Sequence, residues 1–315
     1  MPHVHGNFKV VNLVSNIDGD AKFQDTSLLN AWGLVIDNDT LWVASNHAGA
    51  LINYDFSDDQ LSSFIVSLTL PDDSPASPTG LVKNTTCCFR VNNIPCLLLT
   101  CTEDGMVFAY APQVDVGNGI LVIDNSTNDA IYKGLEIADN KLYVADFHNA
   151  KVDVFDCDFV LLHGFPFLDP YIPTGYAPFN IVRIGQKLLV SYAKQDEDAE
   201  DDVAGPGFGY VSIFNFDGTF VDRFVSQGHL NAPWAMLHGS KHWDLEDTIL
   251  IGNFGDGVIN VYSQHGKFLG SLKDKFHDVI SIEGLWDLKY DGHRLYFAAG
   301  PNDEEDGLVG YIKKD

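Results

Sequence analysis

The feature that most constrains this sequence is a weak internal repeat that occurs six times. Each unit opens with a short apolar segment containing glycine or proline, and the spacings between successive anchors are 47, 54, 44, 55 and 51 residues. Repeats of this period are typical of solenoids and propellers. The anchor residues used for this count are Gly33, Gly80, Gly134, Pro178, Pro233 and Gly284.

An apolar run of strand length follows each anchor, and further strand-like runs follow most of these. The second strands are predicted at 41–45, 96–100, 142–146, 188–192, 249–253 and 295–299. Third strands are predicted at 50–54, 106–110, 151–155, 209–214, 258–262 and 308–312, and fourth strands at 62–68, 120–123, 220–225 and 267–271. The second strands are almost entirely apolar, which favours burial on both faces. Four-stranded units repeated six times predict an all-β, six-bladed propeller.

The two ends of the chain predict how the ring closes. The sixth unit contains only three strands, whereas residues 8–16 form an apolar segment that belongs to no unit. We expect this segment to be the outer strand of blade six, which would remove an exposed edge. Residues 1–7 are expected to be a flexible tail, and residues 272–280 to form one or two helical turns. The whole chain, 1–315, is interpreted as one domain.

Composition excludes several classes of function. With 44 acidic and 19 basic residues and a net charge of −25, the chain is a poor candidate for binding nucleic acid or anionic membranes. Cationic partners or divalent cations fit this charge better. No apolar run is long enough to span a membrane, and no signal-peptide pattern is visible. We therefore expect a soluble protein, whose compartment the sequence leaves open.

The five cysteines, at positions 87, 88, 96, 101 and 157, are an odd number in a large chain. This favours buried structural thiols over a disulfide framework or a zinc site. The best alternative is a local Cys88–Cys96 disulfide.

Propeller geometry places the starts of the first strands and the ends of the second strands on one face. Polar residues are frequent at these places, and calcium or another divalent cation prefers oxygen ligands of their types. The candidate metal ligands are Glu283, Asn231, Asn30 and Asn253. In the alternative interpretation the asparagines cap turns and Glu283 is a solvated carboxylate at the rim.

The same face is predicted to carry two acidic loops, at residues 196–202 and 303–306. Such runs of like charge are usually solvated, although they could also bind cations loosely or attract a basic partner. His148 and the nearby Asp146 are the candidates for acid–base chemistry. No nucleotide cofactor is expected, because the chain contains neither a phosphate-binding loop nor a dinucleotide fingerprint.

Several segments resemble an uncharacterised propeller family related to NHL-repeat proteins. They are Asn-Ala-Trp-Gly from position 30, Val-Ser-Tyr-Ala-Lys from 190, Asn-Ala-Pro-Trp-Ala from 231 and Gly-Asn-Phe-Gly-Asp-Gly from 252. The resemblance covers nearly the whole chain and implies a binding platform. More distantly, Ile-Glu-Gly-Leu-Trp from 282 is similar to the glutamate-bearing motif of calcium-dependent lactonases of the gluconolactonase and regucalcin type. The segments that would supply the other metal ligands lack Asn or Asp at their anchors, although Asn180 lies nearby.

Two functions follow as predictions. In the first, the chain is a binding or scaffold propeller that holds a protein or small molecule at its acidic loop face, with a structural divalent cation as an option. The alternative is a metal-dependent hydrolase of the lactonase type, with Glu283 and Asn231 holding the metal and His148 or Asp146 moving the proton. The two differ in whether at least three oxygen ligands converge at the channel.

Overall fold

Six β-sheets surround a central channel in the computed structural model, which describes residues 7–57 and 60–314. The predicted six-bladed propeller is therefore confirmed. The predicted tail at residues 1–7 lies outside the described residues, except for Asn7. Within the described part of the chain, no helix is long and apolar enough to cross a membrane.

The strands account for most of the ordered structure. In chain order they are β1 (Phe8–Ser15), β2 (Phe23–Gln24), β3 (Ala31–Asp37), β4 (Thr40–Ser45), β5 (Ala50–Asp55), β6 (Ser62–Ser67), β7 (Pro78–Lys83), β8 (Arg90–Val91), β9 (Ile94–Pro95), β10 (Leu98–Thr102), β11 (Met106–Tyr110), β12 (Ile120–Asp124), β13 (Tyr132–Ala138), β14 (Lys141–Asp146), β15 (Lys151–Phe155), β16 (Leu161–Leu162), β17 (Tyr176–Ile184), β18 (Lys187–Lys194), β19 (Tyr210–Phe214), β20 (Phe220–Ser226), β21 (Pro233–His238), β22 (Thr248–Asn253), β23 (Ile259–Ser263), β24 (Phe268–Ser271), β25 (Leu285–Tyr290), β26 (Leu295–Ala299) and β27 (Leu308–Lys314). Short 3₁₀ turns lie at Ser126–Asn128 and Lys241–Trp243.

Five blades are four-stranded antiparallel sheets, and the sixth is closed by the N-terminal strand. Blades one to five run β3–β6, β7 with β10–β12, β13–β16, β17–β20 and β21–β24. In blade six, β1 pairs antiparallel with β27, with Val10 opposite Ile312, and the short β2 adds a parallel pair outside it. The predicted closure by residues 8–16 is confirmed, which leaves the ring without a gap between its first and last blades.

The second strand of each blade is buried on both faces, as its composition predicted. Strands β10, β22 and β26 are buried at every residue. Their side chains form hydrophobic clusters with the neighbouring strands of the same and the next blade. Because each fully buried aliphatic side chain contributes about 1.5–3 kcal/mol, this packing holds the blades face to face.

All six innermost strands contain a β-bulge near their beginning. In blade three, Tyr132 pairs with Asp146 and Gly134 with Ala145, so Lys133 is an extra residue. Equivalent register shifts occur in the other five blades. A bulge redirects the side chain that it carries. The residues at this repeated position are Trp32, Thr79, Lys133, Phe179, Trp234 and Trp286.

The bulges correct the sequence alignment of the repeats. Gly33, Gly80 and Gly134 are structurally equivalent, but their counterparts in the later blades are Asn180, Ala235 and Asp287 rather than the prolines and glycine used as anchors. In blades one to three this position is glycine because the innermost strands approach closely: a Cβ at Gly134 would overlap Asn180.

Two local predictions are wrong. Residues 272–280 form a turn closed by a bridge between Lys273 and Val279, not a helix, because Ile280 N–H donates to Leu272 O. The cysteine pairing also differs, since Cys88 forms a disulfide with Cys157 across 69 residues while Cys96 stays a buried free thiol. This disulfide links blades two and three.

Candidate functional site

The upper end of the channel, where the innermost strands begin, is filled by an aromatic layer. The indoles of Trp32 and Trp286 stack with their ring centroids 3.6 Å apart. The ring of Phe254 also stacks on Trp286, with a centroid distance of 3.9 Å. Trp234 meets Trp286 edge-on at 6.2 Å. Three of the six bulge positions thus supply tryptophan, and this layer separates the two ends of the channel.

The bulge of blade three supplies a cation above this layer. Lys133 has a side chain that is only 3% exposed, and its Nζ lies 5.5 Å from the ring centroid of Trp32 and 5.9 Å from that of Phe147. The same Nζ donates to Glu103 Oε1 at 2.5 Å and to Asp201 Oδ1 at 3.0 Å. Cation–π contact and two carboxylates together stabilise a buried ammonium.

Two more carboxylates belong to the same cluster. Glu304 Oε2 accepts from Asn30 Nδ2 at 2.6 Å, and Asn30 Oδ1 accepts from the indole of Trp286. Asp202 Oδ2 is buried and accepts no hydrogen bond from the described residues. We call Glu103, Lys133, Asp201, Asp202 and Glu304 the acidic mouth. It holds four carboxylates and one ammonium.

The pKa values of the mouth carboxylates reflect burial first and the neighbouring negative charges second. Burial raises the pKa of Asp202 to about 7, with Glu304 and Asp201 adding to the effect and Lys133 opposing it. Burial likewise raises the pKa of Glu304 to about 7, helped by Glu103. For Lys133, burial works against the charge, yet Glu103 and Asp201 together raise its pKa. The ammonium stays charged, whereas two carboxylates lack full compensation.

The four predicted metal ligands lie in different surroundings. Asn30 lies at the acidic mouth, where its amide nitrogen donates to Glu304 and its amide oxygen accepts from the Trp286 indole. Asn231 Oδ1 accepts from Gly205 N at 2.6 Å, and the amide groups of Asn231 and Asn253 both donate to Asp256. Glu283 is exposed and accepts from Asn302 N at 3.0 Å. No hydrogen bond joins these four to one another in the described structure.

A one-residue offset explains part of this separation. Asn30, with φ of 46°, immediately precedes β3, and its counterpart before β21 is Ala232, with φ of 45°. Asn231 and Glu283 each lie one residue earlier, before Ala232 and Gly284. A single residue changes the direction of a side chain at a strand start, so only Asn30 reaches the mouth.

The two acid–base candidates are Asp146, which is hydrogen-bonded within its own turn, and His148. Asp146 is fully buried, its carboxylate accepts from the backbone and side chain of Asn149, and burial raises its pKa. It also lies 3.5 Å from Lys151 Nζ. His148 has a buried Nδ1 without a hydrogen-bond partner among the described residues. The Asp146 carboxylate therefore stabilises the turn that contains Asn149.

Among residues 7–57 and 60–314, no group of three or more His, Cys, Asp or Glu residues has the arrangement of a metal site. These residues therefore provide no cluster of charged ligands for the predicted calcium or other divalent cation. The mouth instead holds carboxylates spread around the ammonium of Lys133.

Lys133 and the bulge ring are the parts of this site that sequence reasoning missed. Lys133 stands in the Tyr132-Lys-Gly segment, at the place where three other repeats carry tryptophan. A lone lysine at a position that is aromatic in four of the other five repeats is the available signal. The acidic loops were expected at this face, and they supply Asp201, Asp202 and Glu304 to the mouth.

The fold and the mouth define a six-bladed propeller with an acidic channel entrance, and comparisons with known proteins agree with the fold. No protein-family model matches the chain. Two proteins of Acanthamoeba polyphaga mimivirus are similar to the chain in sequence. Uncharacterized protein R648 is 38% identical over 98% of this chain and 80% of its own length. Uncharacterized protein L690 is 37% identical over 98% of this chain and 86% of its own. The chain belongs to this family of uncharacterised mimivirus proteins.

Solved structures with the same architecture are distant in sequence. Virginiamycin B lyase from Staphylococcus aureus matches with a TM-score of 0.55 and 10% identity, covering 98% of this chain and all of its own. A protein of unknown function from Bacteroides thetaiotaomicron matches with a TM-score of 0.62 and 10% identity, over 98% of this chain and 76% of its own. The nidogen–laminin complex gives a TM-score of 0.55 with 12% identity, covering 83% and 85%. At such identities the likeness shows the fold alone.

Proposed function

We propose that this protein is a binding propeller whose acidic mouth takes the basic side chains of a protein partner. The observation that carries the proposal is the uncompensated carboxylate pair, Asp202 and Glu304. Asp202 Oδ2 is buried without a partner, and both pKa values are raised to about 7. A buried unpaired carboxylate is costly, so an incoming cation gains free energy by neutralising it.

Lys133 indicates which cation the mouth accepts. Its ammonium lies over aromatic rings and between two carboxylates. A lysine or arginine of a partner would find the remaining two carboxylates beside it. The net charge of −25 would also steer a basic partner toward the surface and speed association at low salt.

The test is a titration of the purified protein with tetralysine, and separately with calcium, followed by isothermal calorimetry. We expect one tetralysine per chain, with affinity that falls as salt rises. The double variant D202N/E304Q should bind at least about fivefold more weakly, since one charge-assisted contact is worth roughly 1 kcal/mol or more. The matched control is D18N/E246Q, which removes two exposed carboxylates elsewhere.

The outcomes separate the alternatives. Equal binding by the mouth variant and its control would overturn the proposal. Calcium binding lost in both E283Q and N231A would favour the structural cation or the lactonase-type hydrolase and justify assays with lactones. The hydrolase has less support at present, because Glu283 and Asn231 already accept hydrogen bonds from Asn302 N and Gly205 N.

A further inference from the structure

A cavity occupies the lower end of the channel, where the innermost strands end. Its volume is about 450 Å³, which lies in the range of small-molecule sites. All six blades contribute to its wall, from Val35 in blade one to Tyr290 in blade six. Trp234, which contacts Trp286, also lines it, so the aromatic layer lies between this cavity and the acidic mouth. We call it the lower cavity.

About half of the wall of the lower cavity is apolar. Leu81, Leu135, Ile137, Ile181 and Val35 line it and are themselves well buried. Such a wall accepts an aliphatic or aromatic body and releases water from it. The ligand therefore has an apolar part.

Five charged side chains also line the lower cavity, and three of them are neutralised within the protein. Asp287 accepts from Lys289 Nζ at 2.8 Å and from the backbone N–H groups of Leu34 and Leu288. Lys83 Nζ lies 2.6 Å from Asp37 Oδ1. The Leu34–Asp287 hydrogen bond and the Lys83–Asp37 pair join the innermost strands of adjacent blades, and the three neutralised groups leave little charge for a ligand.

The other two charges, Glu136 and Arg183, have no ion-pair partner among the described residues. Glu136 accepts only backbone N–H groups, from Ile137 at 2.8 Å and from Arg183 at 2.9 Å. The guanidinium of Arg183 donates Nε–H to Gly185 O and lies 5.6 Å from the ring of Phe216. Burial raises the pKa of Glu136, while Lys289 and Arg183 oppose this. Two opposite charges on adjacent blades thus lack an ion-pair partner in the part of the chain that the structure describes.

We propose that the lower cavity binds a small zwitterion of the α-amino-acid type with an apolar side chain. Its ammonium would pair with the Glu136 carboxylate, and its carboxylate with the Arg183 guanidinium. The apolar side chain would lie against Leu135, Ile181 and Trp234. The cavity volume fits one such molecule, and this site is independent of the function proposed for the acidic mouth.

The proposal is tested by calorimetry and ligand-observed NMR with L-leucine, L-phenylalanine and L-methionine at up to ~10 mM, since amino-acid-sized ligands commonly bind in the millimolar range or tighter. For any that binds, the matching amine and the matching carboxylic acid are measured beside it. We expect at least one amino acid to bind, and loss of either charge to weaken it about tenfold, as expected for one charged hydrogen bond.

The variants E136Q and R183Q should each weaken binding of the amino acid about tenfold, with R183Q no longer distinguishing the amino acid from its amine. The controls E246Q and R90Q remove exposed charges outside the cavity. Arg183 is exposed, so R183Q retains a test if E136Q fails to fold. Absence of binding by all three amino acids, equal binding of the amine or acid, or unchanged affinity in R183Q would each overturn the proposal. D202N/E304Q should bind the amino acid normally, so failure here is distinguishable from failure at the mouth.

Discussion

The two ends of the channel are built from the same six strands but neutralise their charges differently. At the upper end, four carboxylates share the single ammonium of Lys133. At the lower end, Asp287 has a lysine and two backbone N–H donors of its own. A carboxylate with a full set of internal donors acts as a structural clamp, whereas one without them is available to a ligand. Asp287 is therefore expected to stabilise the fold, whereas Asp202 and Glu304 are expected to destabilise it when they are ionised.

The largest effect is expected for the clamp, in the variant D287A. Asp287 is 2% exposed, and its removal leaves the Leu34 N–H without an acceptor and Lys289 without its carboxylate. We expect the free energy of unfolding to fall by about 3 kcal/mol, measured by urea denaturation. The control D18A removes an exposed carboxylate and should change it by less than about 0.5 kcal/mol. Equal losses in the two variants would remove the distinction between the ends.

The acidic mouth should make the folded protein less stable as pH rises. Asp202 and Glu304 have pKa values of about 7 in the folded protein, above the values near 4 of an unfolded chain. The folded state therefore holds protons that the unfolded state releases between these limits. Stability contributed by these groups is present at low pH and is lost as pH rises toward 7.

The measurement is the free energy of unfolding of D202N/E304Q and wild type at pH 5 and pH 8. We expect the double variant to lose less stability on going to pH 8, and to be more stable there by about 1–2 kcal/mol. Some slope should remain, because burial also raises the pKa values of Glu136 and Asp146. A double variant that is less stable than wild type at pH 8 would contradict the assignment of surplus charge to the mouth.

The sequence predicts the ring well because its evidence is repeated six times. Apolar second strands and the unpaired segment 8–16 give the blade number and the closure, and both depend on patterns many residues long. The acidic loops could be assigned to the correct face on the same basis. Errors of one or two residues do not affect such patterns.

The directions of the site side chains depend on register shifts of a single residue, and the sequence is less informative about such shifts. A bulge shifts Trp286 and Asp287 relative to the glycine used as an anchor, and nothing in the spacing shows an inserted residue. Lys133 acquires its role only from Glu103 and Asp201, which come from other blades. The Cys88–Cys157 disulfide likewise joins residues that only the completed ring brings together.

The smallest effect is expected at Glu283, a candidate ligand chosen from the sequence. Its carboxylate is exposed and accepts one hydrogen bond, from Asn302 N. Without a bound cation, E283Q should change the free energy of unfolding by less than about 0.5 kcal/mol, because the amide oxygen of glutamine accepts the same bond.

Thermal melts of wild type and E283Q, each with chelator and with added calcium, measure the stability difference between the two proteins and its dependence on calcium. A calcium-dependent rise in wild type that disappears in E283Q would place a cation at the rim and overturn the interpretation of Glu283 as a solvated carboxylate. Equal melts in all four conditions would leave Glu283 as a solvated carboxylate that supports the loop at Asn302.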